Sequence, residues 1–115
     1  MDLTEHLKRQ MAFSRATYGP GERTQGVCDH IAKEIAELKP APDDGLRSKE
    51  WVDVVLLGLD GLWRALAAEG WPWWAIPQKA ARMIAAKQGK NEQRDWPDWR
   101  TADPNKAIEH VRGDA

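Results

Sequence analysis

KEIAELKPAPDDGLRSKEWVDVVLLGLDG, residues 33–61, is the stretch that decides the fold. Apolar residues at helical spacing lead into a short segment with two prolines, two aspartates and a glycine, and a long apolar run follows it. This pattern predicts two helices joined by a short loop. Consecutive helices with a short connection pack antiparallel, so we expect a helical hairpin.

Each predicted helix of this hairpin carries an acidic pair close to the loop. Glu34 and Glu37 precede the loop and Glu50 and Asp53 follow it, and in each pair the two residues lie three positions apart. Residues at this spacing share one face of a helix. In an antiparallel hairpin the four carboxylates therefore converge at one end, and Glu34 and Asp53 face each other one turn deeper.

Four carboxylates held this close repel one another, and a hard divalent cation removes that repulsion. Magnesium or manganese accepts oxygen ligands and retains water for chemistry or for phosphate groups. A solvated acidic patch is the alternative interpretation. Glu34 argues against it because it lies within the apolar stripe of its helix, and Asp53 because it opens the apolar run 54–57. A di-iron site is not favoured, since no histidine follows a glutamate at Glu-x-x-His spacing.

The remaining sequence also favours helices, and no segment alternates with the period of a strand. We predict an all-α fold, a short bundle of four to five helices in one domain over residues 1–115. The predicted helices are Leu3 to about Phe13, Thr24 (as N-cap) to about Leu38 or Lys39, Ser48 (as N-cap) to about Glu69, Trp73 or Pro77 to Gly89 or later, and Pro104 to Arg112. Residues 13–26, with Gly19-Pro20-Gly21, are predicted to form a loop.

Composition narrows the function classes. The 115 residues have a formal net charge of −1, which argues against a strongly basic nucleic-acid binder and predicts no nucleic-acid polymer as partner. The single cysteine, Cys28, permits no internal disulfide and is compatible with a reducing compartment. No apolar stretch is long enough to span a membrane and the N-terminus is polar, so we expect a cytoplasmic protein without membrane contact. Seven tryptophans suggest ligand stacking or a subunit interface in addition to a core.

Four segments resemble one known family. They are FSRATYGPGERTQGVCDHIAKEIAEL, EWVDVVLLGLDGLWRA, KQGKNEQRDWPDWR and KAIEHVR, and with the Glu34-x-x-Glu37 and Glu50-x-x-Asp53 motif they cover roughly residues 13–112. Together they resemble the MazG-like all-α nucleotide pyrophosphohydrolases, in the phage and bacterial dATP/dGTP diphosphohydrolase (MazZ-like) branch. The Trp-rich segment 69–78 is a departure from that pattern.

The resemblance implies an enzyme that hydrolyses a purine deoxynucleoside triphosphate, dGTP or dATP, to the monophosphate and pyrophosphate. It implies that Glu34, Glu37, Glu50 and Asp53 hold Mg²⁺, with Mn²⁺ as a possible substitute. Glu34 or Glu37 would orient or deprotonate the attacking water. A role in controlling a phage nucleotide pool, or in supplying 2-aminoadenine DNA synthesis, is the implied biological setting, within the cytoplasm of the host cell.

The triphosphate also requires cationic and amide partners. Lys87 and Asn91 match a lysine and an asparagine that the family places four residues apart, Arg94 follows on the same helical face, and Lys49 is a further candidate. The alternative interpretation of Lys87, Asn91 and Arg94 is that they form a solvated basic end of the helix. Candidates for contacting the base are Phe13, Trp51, Trp96, Trp99, Asp95 and Asp98.

Three further expectations complete the sequence-based account. The family resemblance implies a homo-oligomer, for which we favour a tetramer over a dimer. A non-catalytic, Trp-rich helical interaction module is the alternative function. Asp60 and Arg64, four residues apart, are expected to form an ion pair with no catalytic role.

Overall fold

The computed structural model describes residues 1–43 and 45–112. These residues form helices and turns and include no strand, which confirms the all-α class. The helices are α1 (Leu3–Tyr18), α2 (Thr24–Leu38), α3 (Leu46–Ala68) and α4 (Ile76–Gln93), with short 3₁₀ turns at Trp73–Ala75 and Trp99–Thr101.

The chain divides into two compact units, Met1–Ala81 and Arg82–Ala115. The first contains α1, α2, α3 and the start of α4, and the second contains the rest of α4 and the chain that follows it. One hydrophobic core holds the first unit together, because the buried faces of α1, α3 and α4 meet there. Its members are Leu7, Met11, Trp63, Leu66, Ile76 and Ala80, with Leu59 and Leu62 packed against them.

The helical hairpin predicted from the sequence is present, with α2 packed against α3. Glu34, one turn from the end of α2, meets Glu50 near the start of α3. Val27, near the start of α2, lies beside Gly61, much further along α3. The end of α2 thus contacts the start of α3, and the start of α2 contacts a later part of α3. The two helices therefore run antiparallel. This arrangement places the acidic residues together at the loop end of the hairpin.

The first helix is longer than predicted. Helix α1 continues to Tyr18, so the expected loop over residues 13–26 is wrong over 13–18, and also over 24–26, where α2 has begun. The helix ends at Gly19, whose φ of 88° is a conformation that favours glycine. A tertiary contact supports the additional turn, since the buried Ser14 hydroxyl accepts a hydrogen bond from Arg64 on α3. The short-range sequence pattern contains no sign of a contact that spans 50 residues.

The predicted N-caps also differ from the observed ones. Helix α3 begins at Leu46 after Gly45, and the Ser48 hydroxyl donates to the carbonyl oxygen of Gly45 from within the first turn. Thr24 is the first residue of α2 itself, and its hydroxyl donates to the carboxylate of Glu22. Both hydroxyls therefore act as donors and do not cap the free backbone N–H groups.

The helix predicted over Pro104–Arg112 is absent. The backbone N–H of Val111 donates to the carbonyl oxygen of Asp95 at 2.7 Å, and the His110 ring meets the edge of the Trp96 ring. These contacts hold the segment against the chain that follows α4. A short helix in isolation is marginal, so the long-range contacts decide the conformation.

In the described part of the chain, no helix combines the length and the apolar character needed to cross a membrane. Cys28 is exposed and carries a free thiol.

Candidate functional site

Three carboxylates form a cluster at the loop end of the α2–α3 hairpin. Glu34 comes from α2, and Glu50 and Asp53 come from the first two turns of α3. One oxygen atom from each side chain lies within 4.8 Å of the others. The antiparallel packing of the two helices is therefore sufficient to bring together three of the four predicted acidic residues.

The two glutamates of this cluster are half-buried and incompletely hydrogen-bonded. The Oε2 atoms of Glu34 and Glu50 are inaccessible to solvent and have no hydrogen-bond partner among the described residues. The Oε1 atom of Glu34 lies 3.5 Å from Nε2 of His30, one turn earlier on α2. Buried polar atoms without partners are rare and require an explanation. A role as ligands of a cation would explain these two oxygen atoms.

The electrostatics of the cluster agree with this interpretation. Burial raises the pKa of the Glu50 carboxyl group above its ordinary value. The adjacent Glu34 carboxyl group raises it further, as do the negative charges of Glu37 and Asp53. Burial and the neighbouring negative charges thus disfavour the ionised form of Glu50. A set of carboxylate oxygens suits a hard divalent cation such as Mg²⁺ or Mn²⁺, whose positive charge removes this opposition.

The surroundings of Asp53 differ from those expected. The sequence suggests a charge embedded in an apolar run, but Asp53 is exposed, and so are its neighbours Val52 and Val55. The core residues Trp63 and Leu66 of α3 lie further along the helix, beyond its acidic end. Asp53 is therefore accessible to a ligand and is not a buried charge in need of compensation.

Glu37 lies outside the three-residue cluster. Its side chain is exposed near the end of α2. Its negative charge nevertheless contributes to the raised pKa of Glu50. Glu37 is thus close enough to the cluster to act electrostatically, as a fourth carboxylate on the solvent side.

The predicted phosphate-binding residues fall in two places. Lys49 is exposed in the first turn of α3, directly before Glu50. Lys87 and Asn91 lie on α4 within the second unit, and Arg94 follows the end of that helix. The Gly89 between them does not interrupt α4, so Lys87 and Asn91 share one helical face.

Asn91 and Arg94 are held by local hydrogen bonds in the second unit. Nη1 of Arg94 donates to Oδ1 of Asn91 at 3.1 Å, and the indole N–H of Trp96 donates to the carbonyl oxygen of Asn91 at 2.7 Å. Burial lowers the pKa of His110, and the positive charges of Arg94, Arg112 and Lys87 lower it further. The basic residues therefore share one positive region around His110.

A cleft of about 300 Å³ lies between α1, α2 and α3 and opens beside the carboxylates. Sequence reasoning missed it, although Phe13, one of its walls, was a candidate for stacking on a base. Glu34 and Asp53 belong both to the carboxylate cluster and to the lining of the cleft. The other residues that line it are Gln10, Phe13, Ser14, Tyr18, Arg23, Gly26, Val27, His30, Leu56, Leu57 and Asp60.

A buried ion pair fixes the far end of this cleft. Nε of Arg64 lies 3.0 Å from Oδ2 of Asp60, which confirms the predicted pair, and the indole N–H of Trp63 donates to Oδ1 of the same carboxylate. Nη1 of Arg64 donates to the carbonyl oxygens of Gly19 and Gly21, both at 2.9 Å. Arg64 thereby ties the α1–α2 connection to α3, and the sequence offered no sign of this second role.

Comparison with known proteins identifies the family. A family model described as dATP/dGTP pyrophosphohydrolase matches residues 6–114, which include the whole acidic cluster and the cleft. No curated protein and no solved structure matches the chain at a significant level. Since the family match covers nearly the full sequence, the chain belongs to the dATP/dGTP pyrophosphohydrolases, a family of diphosphatases.

Proposed function

We propose that this chain hydrolyses dGTP and dATP to the monophosphate and pyrophosphate, with Mg²⁺ held by the carboxylate cluster. The observation that carries the proposal is the pair of buried, unpartnered oxygens on Glu34 and Glu50, in a chain of this family. A solvated acidic patch would expose these atoms to water. The cleft that continues from the cluster gives the rest of a nucleotide a place to bind.

Glu34, Glu50 and Asp53 are the proposed metal ligands, and Glu37 is positioned to join them from the solvent side. A bound divalent cation neutralises the charge on triphosphate oxygens and lowers the pKa of a water molecule toward neutrality. His30 contacts Oε1 of Glu34 and so orients this carboxylate, leaving Oε2 for the cation.

Glu37 and Glu34 are the proposed catalytic carboxylates. Glu37 is exposed and lies outside the set of three, so its carboxylate is the freer one to accept a proton from the attacking water. Glu34 lines both the cluster and the cleft, and it would hold that water between the cation and the substrate.

Lys87, Asn91 and Arg94 are the proposed triphosphate contacts, with Lys49 as a further one. Lys87 and Arg94 both place positive charge around His110, and this charge would attract the triphosphate. The hydrogen bond from Arg94 to Asn91 fixes the guanidinium group, which suits bidentate binding of a phosphate. The positive charges of these groups would stabilise the negative charge that develops on the leaving pyrophosphate.

We further propose a homotetramer in the cytoplasm, acting on the nucleotide pool or, in a phage, supplying 2-aminoadenine DNA synthesis. Six of the seven tryptophans are exposed, as are Val52 and Val55 on α3, and such apolar surface suits subunit contacts. The same surface is the basis for the alternative, a non-catalytic interaction module. Family membership favours the enzyme over this alternative.

Product analysis tests the proposed function. The purified chain is incubated with each common dNTP and rNTP, with Mg²⁺ and then with EDTA, and the products are separated by anion-exchange chromatography. We expect dGTP or dATP to give monophosphate plus pyrophosphate with Mg²⁺ only. Glu37→Gln should lower turnover by about 10²- to 10⁴-fold if Glu37 serves as general base. Diphosphate plus phosphate would contradict the cleavage position, and no turnover of any nucleotide would favour the interaction module.

A further inference from the structure

We propose that the cleft between α1, α2 and α3 binds the purine base, and that Gln10 recognises the hydrogen-bonding edge of that base. This inference rests on the proposed function, since it assigns the base-binding part of the same site. A volume of about 300 Å³ is at the lower end of the range for small-molecule sites. The cleft is therefore suited to one flat heterocycle with part of its sugar.

The position of the cleft supports a nucleotide in one orientation. Glu34 and Asp53 line its near end and also form the carboxylate cluster. A base within the cleft would thus place its triphosphate toward the proposed cation. Val27, Leu56 and Leu57 supply apolar wall between α2 and α3, as expected for a site that binds a base by its faces.

Two aromatic rings stand at the cleft without being packed into the core. The side chains of Phe13 and Tyr18 are 61% and 51% exposed, and their rings meet edge to face with centroids 6.4 Å apart. Exposed aromatic rings that line an apolar cleft offer faces on which a base can stack. The guanidinium group of Arg23 lies 5.7 Å from the Tyr18 ring and supports its position.

Gln10 is the only amide side chain in the described lining of this cleft, and its orientation is fixed. Its Nε2 donates to the backbone carbonyl oxygen of Leu56 at 2.7 Å. A carbonyl oxygen only accepts, so the amide nitrogen must face Leu56 and the amide oxygen must face His6. Nε2 of His6, 2.8 Å from Oε1 of Gln10, must therefore carry a proton and donate it.

This arrangement leaves Gln10 with one N–H and one oxygen lone pair that have no partner among the described residues. We place this N–H and this oxygen side by side toward the cleft. They are then complementary to N7 and the 6-amino group of adenine and to O6 and N1–H of guanine, which present acceptor and donor in the same order. Adenine and guanine can thus each form two hydrogen bonds with the Gln10 amide. A purine without an N–H donor can form only one, as an acceptor.

The experiment compares dATP and dGTP with the triphosphate of purine 2′-deoxyriboside, whose base has no N–H donor. We expect the wild-type chain to prefer dATP or dGTP over this analogue. In Gln10→Leu, kcat/KM for the preferred substrate should fall by about 10- to 100-fold, while the analogue loses much less. The preference should largely disappear. Gln25→Leu, an exposed glutamine on α2 outside the cleft lining, is the matched control and should retain it.

An equal loss for all three substrates in Gln10→Leu would overturn the proposal, since it would show a purely structural role, and so would no loss. If this variant does not fold, Phe13→Ala tests the cleft instead, and KM for dATP or dGTP should rise about tenfold. The control is Ile84→Ala, an exposed apolar residue outside the cleft lining, which should leave KM unchanged. An unchanged KM in Phe13→Ala would then contradict the cleft assignment.

Binding measurements separate this proposal from the proposed function. Isothermal titration of the same nucleotides with Ca²⁺ in place of Mg²⁺ reports base recognition without turnover. Selective weakening of dATP or dGTP binding in Gln10→Leu would support the cleft even if no hydrolysis occurred. Hydrolysis in the wild type with base-independent binding would support the proposed function and contradict the cleft.

Discussion

Glu34 on α2 and Glu50 on α3 face each other across the helical hairpin, and each keeps one buried oxygen without a hydrogen-bond partner in the described part of the chain. Side chains from two different helices are thus held in mutual repulsion by the packing between those helices. A fold tolerates such an arrangement when a ligand relieves it, and stability and metal binding are then thermodynamically linked.

Mg²⁺ or Mn²⁺ should stabilise the folded chain. A cation present at a hundred times its Kd stabilises by about 2.7 kcal/mol, which for a chain of 115 residues corresponds to a rise in Tm of about 11 °C. Differential scanning fluorimetry with and without the cation measures this rise. Glu34→Gln should abolish most of it, whereas Asp29→Asn, an exposed carboxylate on the same helix, should retain it. An equal loss in both variants would indicate nonspecific screening.

Glu50→Gln should stabilise the metal-free protein at neutral pH. The pKa of Glu50 is raised in the folded state, chiefly by burial, so folding favours its protonated form. The protonated Glu50 carboxyl group therefore contributes fully to stability below the ordinary carboxyl pKa. This contribution is lost as the pH rises through the raised pKa of the folded state. In EDTA, wild type and variant should have similar Tm values at pH 4, and the variant should be the more stable at pH 7.5. A less stable variant at pH 7.5 would contradict this account.

The sequence predicts the hairpin and its acidic end because both follow from short-range patterns, namely helical periodicity, a loop rich in proline and aspartate, and residues three positions apart. It does not predict the extension of α1 to Tyr18, which is supported by the hydrogen bond between Ser14 and Arg64, residues that lie 50 positions apart. The cleft was missed for the same reason. Gln10 becomes part of a site only through its contact with Leu56, and no local pattern indicates that contact.

A polyphosphate bound by Lys87 and Arg94 should raise the pKa of His110. Burial and the charges of Arg94, Arg112 and Lys87 lower this pKa in the free protein, and a nearby anion would cancel part of their field. Titration of the His110 ring protons by NMR, with and without pyrophosphate, measures the change. Lys87→Ala should reduce the effect of pyrophosphate, and Arg82→Ala on the same helix should not. An unchanged pKa of His110 would place the phosphates elsewhere.

Arg64→Ala should be strongly destabilising. The Arg64 side chain is 1% exposed, and its removal leaves Asp60 buried without its charged partner and frees the α1–α2 connection. We expect a loss of about 3–5 kcal/mol in the free energy of unfolding, measured with urea. The exposed pair Arg100–Asp98 is the control, because Arg100→Ala should cost at most about 1 kcal/mol. Comparable losses in the two variants would contradict the structural role of Arg64.

The most direct test of the central claim is the single-turnover hydrolysis of dGTP and dATP by wild type, Asp53→Asn and Asp29→Asn in saturating Mg²⁺. Both aspartates are exposed and both variants remove one negative charge, but only Asp53 belongs to the carboxylate cluster. The account predicts monophosphate and pyrophosphate from wild type and Asp29→Asn, and loss of that reaction in Asp53→Asn. Full activity in Asp53→Asn would contradict the assignment of this cluster as the metal centre.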